Sequence, residues 1–155
     1  MKMFIDSILR ILRCRRGNIM IEFAIGAGVL TSIFAGTFQF GYTFYQYNLL
    51  KNAVGDGARY ASLRPYDSST STPSSTFQQA VQNMVVYGDP AGGTSPMAPH
   101  LSTSNVNLNV TFTNGVPTAM TVSITGYTIG AVFGNTTLTN KPSVTYAYQG
   151  IYQPF

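Results

Sequence analysis

The sequence predicts an α+β protein in which a long N-terminal transmembrane helix continues into a small C-terminal domain with an antiparallel sheet of about three strands. Three observations carry that expectation. Between Asn18 and Leu50 only Glu22 is charged at neutral pH, and the 28 residues from Phe23 to Leu50 carry no charge at all. Leu50, Val54, Gly57, Ala58 and Ala61 then share one face of a helix. Near the C-terminus, apolar and polar residues alternate in three short runs. A chain of 155 residues with one span has room for one small further domain.

Residues 1–17 place Phe4, Ile5, Ile8, Leu9, Ile11 and Leu12 among Lys2, Arg10, Arg13, Arg15 and Arg16. That pattern suits a short amphipathic segment on an anionic membrane surface, or equally the basic flank of a signal anchor. The uncharged run that follows is far longer than the roughly 7–15 apolar residues of a secretory signal peptide. About 20 apolar residues cross a hydrocarbon core of ~30 Å, so residues 18–47 read as a transmembrane helix. Five basic residues precede it, and Lys51, Arg59 and Arg64 follow, which places the N-terminus in the cytoplasm and the C-terminal domain outside.

Within the span, Glu22 is out of place. A carboxylate there costs on the order of 3 kcal/mol, which calls for a partner. Asn18 lies one helical turn earlier and would carry a free ammonium if the chain were cut after Gly17. Ala24, Gly28, Ser32 and Gly36 recur at every fourth residue and form a smooth stripe, suited to close helix packing or to softening the helix. Phe38, Phe40, Tyr42, Phe44, Tyr45 and Tyr47 crowd the outer end as an interfacial aromatic belt or as a contact between subunits.

Residues 48–64 form an amphipathic extension whose polar face carries Lys51, Asn52, Asp56 and Arg59, the last two spaced for a weak ion pair. Pro65 ends the helix, making Arg64 its limit. If continuous from Asn18 to Leu63, it measures ~69 Å. Residues 65–76 are a Ser/Thr-rich linker, with glycosylation of its hydroxyls as the alternative use. Residues 77–155 form the small α/β domain. It begins with a short helix carrying Phe77, Ala80, Val81, Met84 and Val85, capped by Thr76 and ending near Gly88.

Asp89 to Leu101 reads as loop. Val106, Leu108, Val110 and Phe112 on one strand and Met120, Val122 and Ile124 on the next make a hairpin around Asn114-Gly115, with Pro117 arguing for a loop longer than two residues. Ile129 to Phe133 is expected as a helical or bulged crossover, and Val144, Tyr146 and Tyr148 as a third strand. So few strands bury too little alone, so Leu50, Val54, Ala58 and Ala61 of the stem are expected to cover Val110, Val122 and Tyr146.

The basic pair Arg15-Arg16, then Gly17, then Asn18 to Glu22, resembles a type IV prepilin processing site. Together with Gly41-Tyr42, Tyr45-Gln46-Tyr47, Leu50-Lys51-Asn52-Ala53 and Gly57-Ala58-Arg59-Tyr60-Ala61-Ser62-Leu63, the stretch 15–64 resembles the TadE-like family of minor pseudopilins from tight-adherence (Flp-type) pilus systems. The resemblance implies a leader, residues 1–17, removed by a membrane prepilin peptidase between Gly17 and Asn18. It also implies a single-pass protein of the bacterial inner membrane, whose partners are other pilins or pseudopilins and the pilus assembly platform.

Little else in the chain carries chemistry. Its formal charge of +4 belongs to the leader, because beyond Gly17 four basic side chains (Lys51, Arg59, Arg64, Lys141) meet four acidic ones (Glu22, Asp56, Asp67, Asp89). A neutral surface argues against an electrostatic grip on nucleic acid. The only cysteine, Cys14, lies in the leader, and the only histidine, His100, in a proline-rich loop. No pair has catalytic or metal-ligand spacing, so no enzyme, cofactor, metal or small-molecule substrate is expected. Two other readings stand beside the pseudopilin: an uncleaved bitopic membrane protein with an extracytoplasmic binding domain, and a filament-tip module.

Overall fold

The computed structural model describes residues 15–130 and 134–154; the amphipathic reading of residues 1–14 and the centre of the Ile129–Phe133 crossover lie outside the described residues. The elements run α1 (Arg15–Leu63), α2 (Ser75–Tyr87), a 3₁₀ turn (Thr103–Asn105), then β1 (Val106–Thr113), β2 (Val116–Ile124), β3 (Tyr127–Ile129), β4 (Thr136–Leu138) and β5 (Ser143–Ala147). The chain divides into two compact units, Met1–Gly41 and Tyr42–Phe155. The protein is α+β, as its sequence predicts.

In the second unit, β1, β2 and β5 form one antiparallel sheet in the order β1-β2-β5, and β3 and β4 pair as a separate hairpin. Asn114 and Gly115, both at positive φ (54° and 80°), make a two-residue turn between β1 and β2, the left-handed geometry that Asn-Gly tolerates. Pro117 does not lengthen this loop. Thr111 pairs with Ala119 and Phe112 with Pro117, which leaves Thr118 as the extra residue of a bulge in β2. The Thr118 hydroxyl donates to the Thr111 carbonyl at 3.1 Å, so the irregular step keeps its carbonyl satisfied. Part of the expected crossover is a strand as well, since Ile129 pairs with Thr136.

The core is shared between helices and sheet. Leu50, Ala53, Val54, Ala58 and Ala61 of α1 are fully buried, in one cluster with Phe77, Val81 and Val85 of α2 and Val110, Met120, Val122 and Ile124 of the sheet. Tyr146 departs from the expected pattern: it is 43% exposed, because β5 is an edge strand whose outer positions reach the rim of the sheet. Tyr148 lies beyond β5 and serves elsewhere.

α2 starts two residues earlier than expected, and its N-cap is Ser74 rather than Thr76. The Ser74 hydroxyl accepts from Phe77 N at 3.1 Å and donates to Asp67 Oδ2 at 2.6 Å, so one side chain both caps the helix and anchors the preceding loop. At the other end Gly88, at φ 75°, donates its N–H to the Met84 carbonyl. The Ser/Thr-rich stretch is tied down at its start, for Tyr66 is fully buried and its hydroxyl donates to the Thr70 carbonyl at 2.7 Å.

Gly57 marks where the two helices meet. A Cβ at this position would run into the side chain of Val85, and a β-branched valine has little freedom to turn aside. Gly55, on the same helix, would meet nothing within 4 Å. Gly57→Ala is therefore expected to destabilise the domain by about 1–3 kcal/mol through overpacking, whereas Gly55→Ala should stabilise it by about 0.5–1 kcal/mol through helix propensity. Denaturant unfolding of the full-length protein in detergent measures both; equal shifts of the same sign would mean that the helices are not in close contact at Gly57.

Candidate functional site

The stretch expected to carry the processing site lies at the start of the described part of α1. Gly17, Asn18 and Glu22 are all helical and exposed. The Gly17–Asn18 bond lies near the start of the described part of α1. Among the described residues, no hydrogen bond or ion pair reaches the Glu22 carboxylate. Phe23 (76% exposed), Ile33 (60%) and Phe38 (72%) typify the side chains that follow. In water such a surface would be untenable; in lipid it is the matching one.

The stripe expected from Ala24, Gly28, Ser32 and Gly36 is exposed, and nothing lies within 4 Å of a Cβ built at Gly28 or Gly36. The Ser32 hydroxyl donates to the Gly28 carbonyl at 2.9 Å, and the Thr37 hydroxyl to the Ile33 carbonyl at 2.9 Å. Both hydroxyls are satisfied within the helix, which lets them sit in hydrocarbon and leaves the stripe smooth. His100 lies in an exposed turn at φ 61°. Among the described residues no group of His, Cys, Asp or Glu side chains could hold a metal ion, and Asp56 and Arg59 form no ion pair.

Sequence reasoning passed over two junctions. At the first, Gln46 is 4% exposed and its Oε1 accepts from the Tyr127 hydroxyl at 2.9 Å, while that hydroxyl also lies 2.7 Å from the Pro99 carbonyl. At the second, the C-terminal segment straps the end of α1. Gln149 N donates to the Ser62 carbonyl (2.9 Å), the Tyr148 hydroxyl lies 3.1 Å from the Arg64 carbonyl, and Tyr66 and residues 151–153 exchange backbone bonds. A helix leaves its last carbonyls without partners, and here the tail provides them. Gln46 had one signal in the sequence, as an amide within an aromatic, uncharged run; the strap had none.

With this geometry in hand, the chain can be compared with known families. Residues 17–59 match the TadE-like protein family. No curated protein and no solved structure matches the chain. The TadE-like match opens at Gly17, takes in Glu22 and the exposed apolar helix, and ends among the turns of α1 that enter the core. The matched stretch includes the part of α1 that is long and apolar enough to cross a membrane, which fits a membrane anchor. Residues 60–154, including α2 and every strand, lie beyond the TadE-like match.

Burial raises the pKa of Tyr127 above its usual value of 10.0, with Tyr42 adding a smaller push in the same direction; burial does the same first of all for Tyr66 and Tyr148. A phenol whose folded pKa is raised contributes stability that is complete below the unfolded value and lost as pH climbs through the folded one. Stability should therefore lose these contributions only above about pH 10. Tyr127→Phe should cost about 1–3 kcal/mol at neutral pH, because the buried Gln46 oxygen loses its donor, and should make the alkaline fall shallower. Unfolding curves between neutral pH and pH 12 test both; a neutral-pH cost near zero would mean that water replaces the phenol.

Proposed function

We propose that the protein is a minor pseudopilin, a membrane-anchored structural and assembly component of a tight-adherence (Flp-type) pilus or a related secretion system. The observation that carries this reading is Glu22: it is the sole charge between Asn18 and Leu50 of an exposed apolar stretch, five residues past Gly17, within the TadE-like match. In this reading residues 1–17 are a leader, removed by a prepilin peptidase between Gly17 and Asn18 at the inner membrane. The smallest side chain at Gly17 admits the closest approach to the scissile bond. The new Asn18 ammonium then meets Glu22, of its own chain or of a neighbour, as the helices dock in lipid. The stripe of Ala24, Gly28, Ser32 and Gly36 faces other pilins or pseudopilins. The five basic residues before the span keep its N-terminus cytoplasmic and the folded domain outside.

The N-terminal mass of membrane-extracted protein should be that of a chain starting at Asn18. Gly17→Arg should leave the full-length chain. Normal maturation of that variant would overturn Gly17 as the cleavage residue and with it the pilin-type processing, whereas an intact leader on wild type would favour instead an uncleaved bitopic protein with an extracytoplasmic binding domain.

Glu22→Gln separates processing from assembly. It should be inserted and cut as wild type yet enter filaments at least tenfold less well, measured as the ratio of sheared surface protein to membrane-bound protein. Wild-type incorporation would remove Glu22 from the assembly step.

A further inference from the structure

We propose that the groove between the end of α1 and the outer face of α2 is a binding site for an acidic monosaccharide, with Arg64 holding its carboxylate. The groove encloses about 400 Å³ and opens to solvent, within the roughly 300–1,000 Å³ usual for small-molecule sites. Arg64 is half-buried, and its guanidinium lies 5.6 Å from the Tyr60 ring centre and 5.9 Å from that of Phe77. One of its N–H groups donates to the Tyr60 hydroxyl. A guanidinium has five donors, and among the described residues no carboxylate pairs with this one. Set beside two rings and tied by one hydrogen bond, Arg64 is a fork without its usual acceptor.

The remaining walls determine what the acceptor belongs to. Three of its lining residues are neutral and polar and come from successive turns of α2: Thr76, Gln79 and Asn83. Gln79 is exposed, and its side chain has no protein partner among the described residues. Asn83 already donates to the Pro90 carbonyl at 3.3 Å, which keeps its amide oriented. Ala80, Pro90 and Ala91 are its apolar lining residues. Neutral polar residues mixed with small apolar ones suit a pyranose, which has both hydroxyl groups and C–H faces. A single cation lines the groove, so its charge matches one carboxylate better than a doubly charged phosphate.

Nearby acids do not compete for the fork. Asp67 accepts from Ser74 through Oδ2 while its Oδ1 is buried without a partner, Asp89 Oδ1 accepts from Ala91 N at 2.8 Å, and neither forms an ion pair with Arg64. An acidic peptide would supply the same carboxylate, but it would also bring backbone donors and acceptors. The lining has one cation and no anion to meet a peptide's further charges, and its mix of neutral polar and small apolar residues favours the sugar.

The test is a titration of the ¹⁵N-labelled full chain in detergent micelles, following the side-chain amide signals of Gln79 and Asn83. Galacturonic acid should shift both saturably, at concentrations at least tenfold lower than acetate, and galactose should leave them in place. Arg64→Gln should abolish the response, and Gln79→Ala, at an exposed position that cannot disturb the fold, should weaken it at least threefold. No saturable shift with galacturonic acid would overturn the site. An equal response to galactose would overturn the role given to Arg64, and an equal response to acetate would overturn the sugar in favour of a bare carboxylate such as that of a peptide. Should Arg64→Gln fail to fold, an unchanged affinity in Gln79→Ala would overturn the proposal by itself.

Discussion

One helix has to satisfy two solvents, and the structure depends on how α1 makes that change. From Gly17 to Gly41 its side chains are exposed apolar groups with hydroxyls turned back onto their own backbone. From Leu50 onward, one face is fully buried in a protein core while Lys51, Asp56 and Arg59 look outward. Gln46 marks the change. An amide is costly to bury without a partner, and the Tyr127 hydroxyl is the partner. That bond fixes β3 to the helix where the folded unit begins, and it requires no charge in a stretch that carries none.

The far end of α1 poses the opposite problem, because Pro65 stops the helix while its last carbonyls still need donors. The tail answers with Gln149 N and the Tyr148 hydroxyl. Tyr66 then turns into the core, where its ring lies edge-on to Phe77 at 5.3 Å and to Phe112 at 5.7 Å and stacks with Tyr152 at 6.4 Å. Such aromatic pairs are worth about 0.5–1.5 kcal/mol each beyond their burial. Helix termination, the aromatic cluster and the C-terminal strap are thus one construction. It also holds Arg64 in place, since its carbonyl is bonded to the strap while its guanidinium lies over Tyr60 and Phe77.

What could be read from sequence follows from how local each signal is. The apolar run to Leu50, the buried face at Leu50, Val54, Gly57, Ala58 and Ala61, and the alternation in β1 and β2 are periodicities within one element, and the structure has all of them. The cap of α2 was ambiguous because Ser74, Ser75 and Thr76 are all competent, and only the position of Asp67 selects Ser74. Pro117 pointed to a longer loop because a bulge two positions away cannot be seen from the turn residues alone. Tyr66 and Tyr148 were illegible for a different reason: they meet across 82 residues, and no local pattern encodes such a contact. The candidate site divides in the same way. Gly17, Asn18 and Glu22 form a contiguous motif, whereas the Arg64 groove exists only once α1 and α2 are packed.

The economy of charge ties the two halves of the chain together. Among the described residues Lys51, Asp56, Arg59 and Lys141 form no ion pairs, so the folded unit is held by burial, backbone ladders and hydrogen bonds rather than by paired charges. Lipid offers no hydrophobic gain when one apolar helix leaves it for another, because acyl chains are as apolar as leucine. Any association of α1 within the membrane must therefore draw on close packing and on polar groups. The exposed span offers little besides a smooth stripe for the first and Glu22 for the second. A carboxylate that is costly in hydrocarbon while alone, and relieved when it finds a cation, supplies a driving force that an all-apolar helix lacks. It also gives that force a depth in the membrane, one turn from the start of the proposed mature chain, so that neighbouring helices would be brought into register as well as into contact.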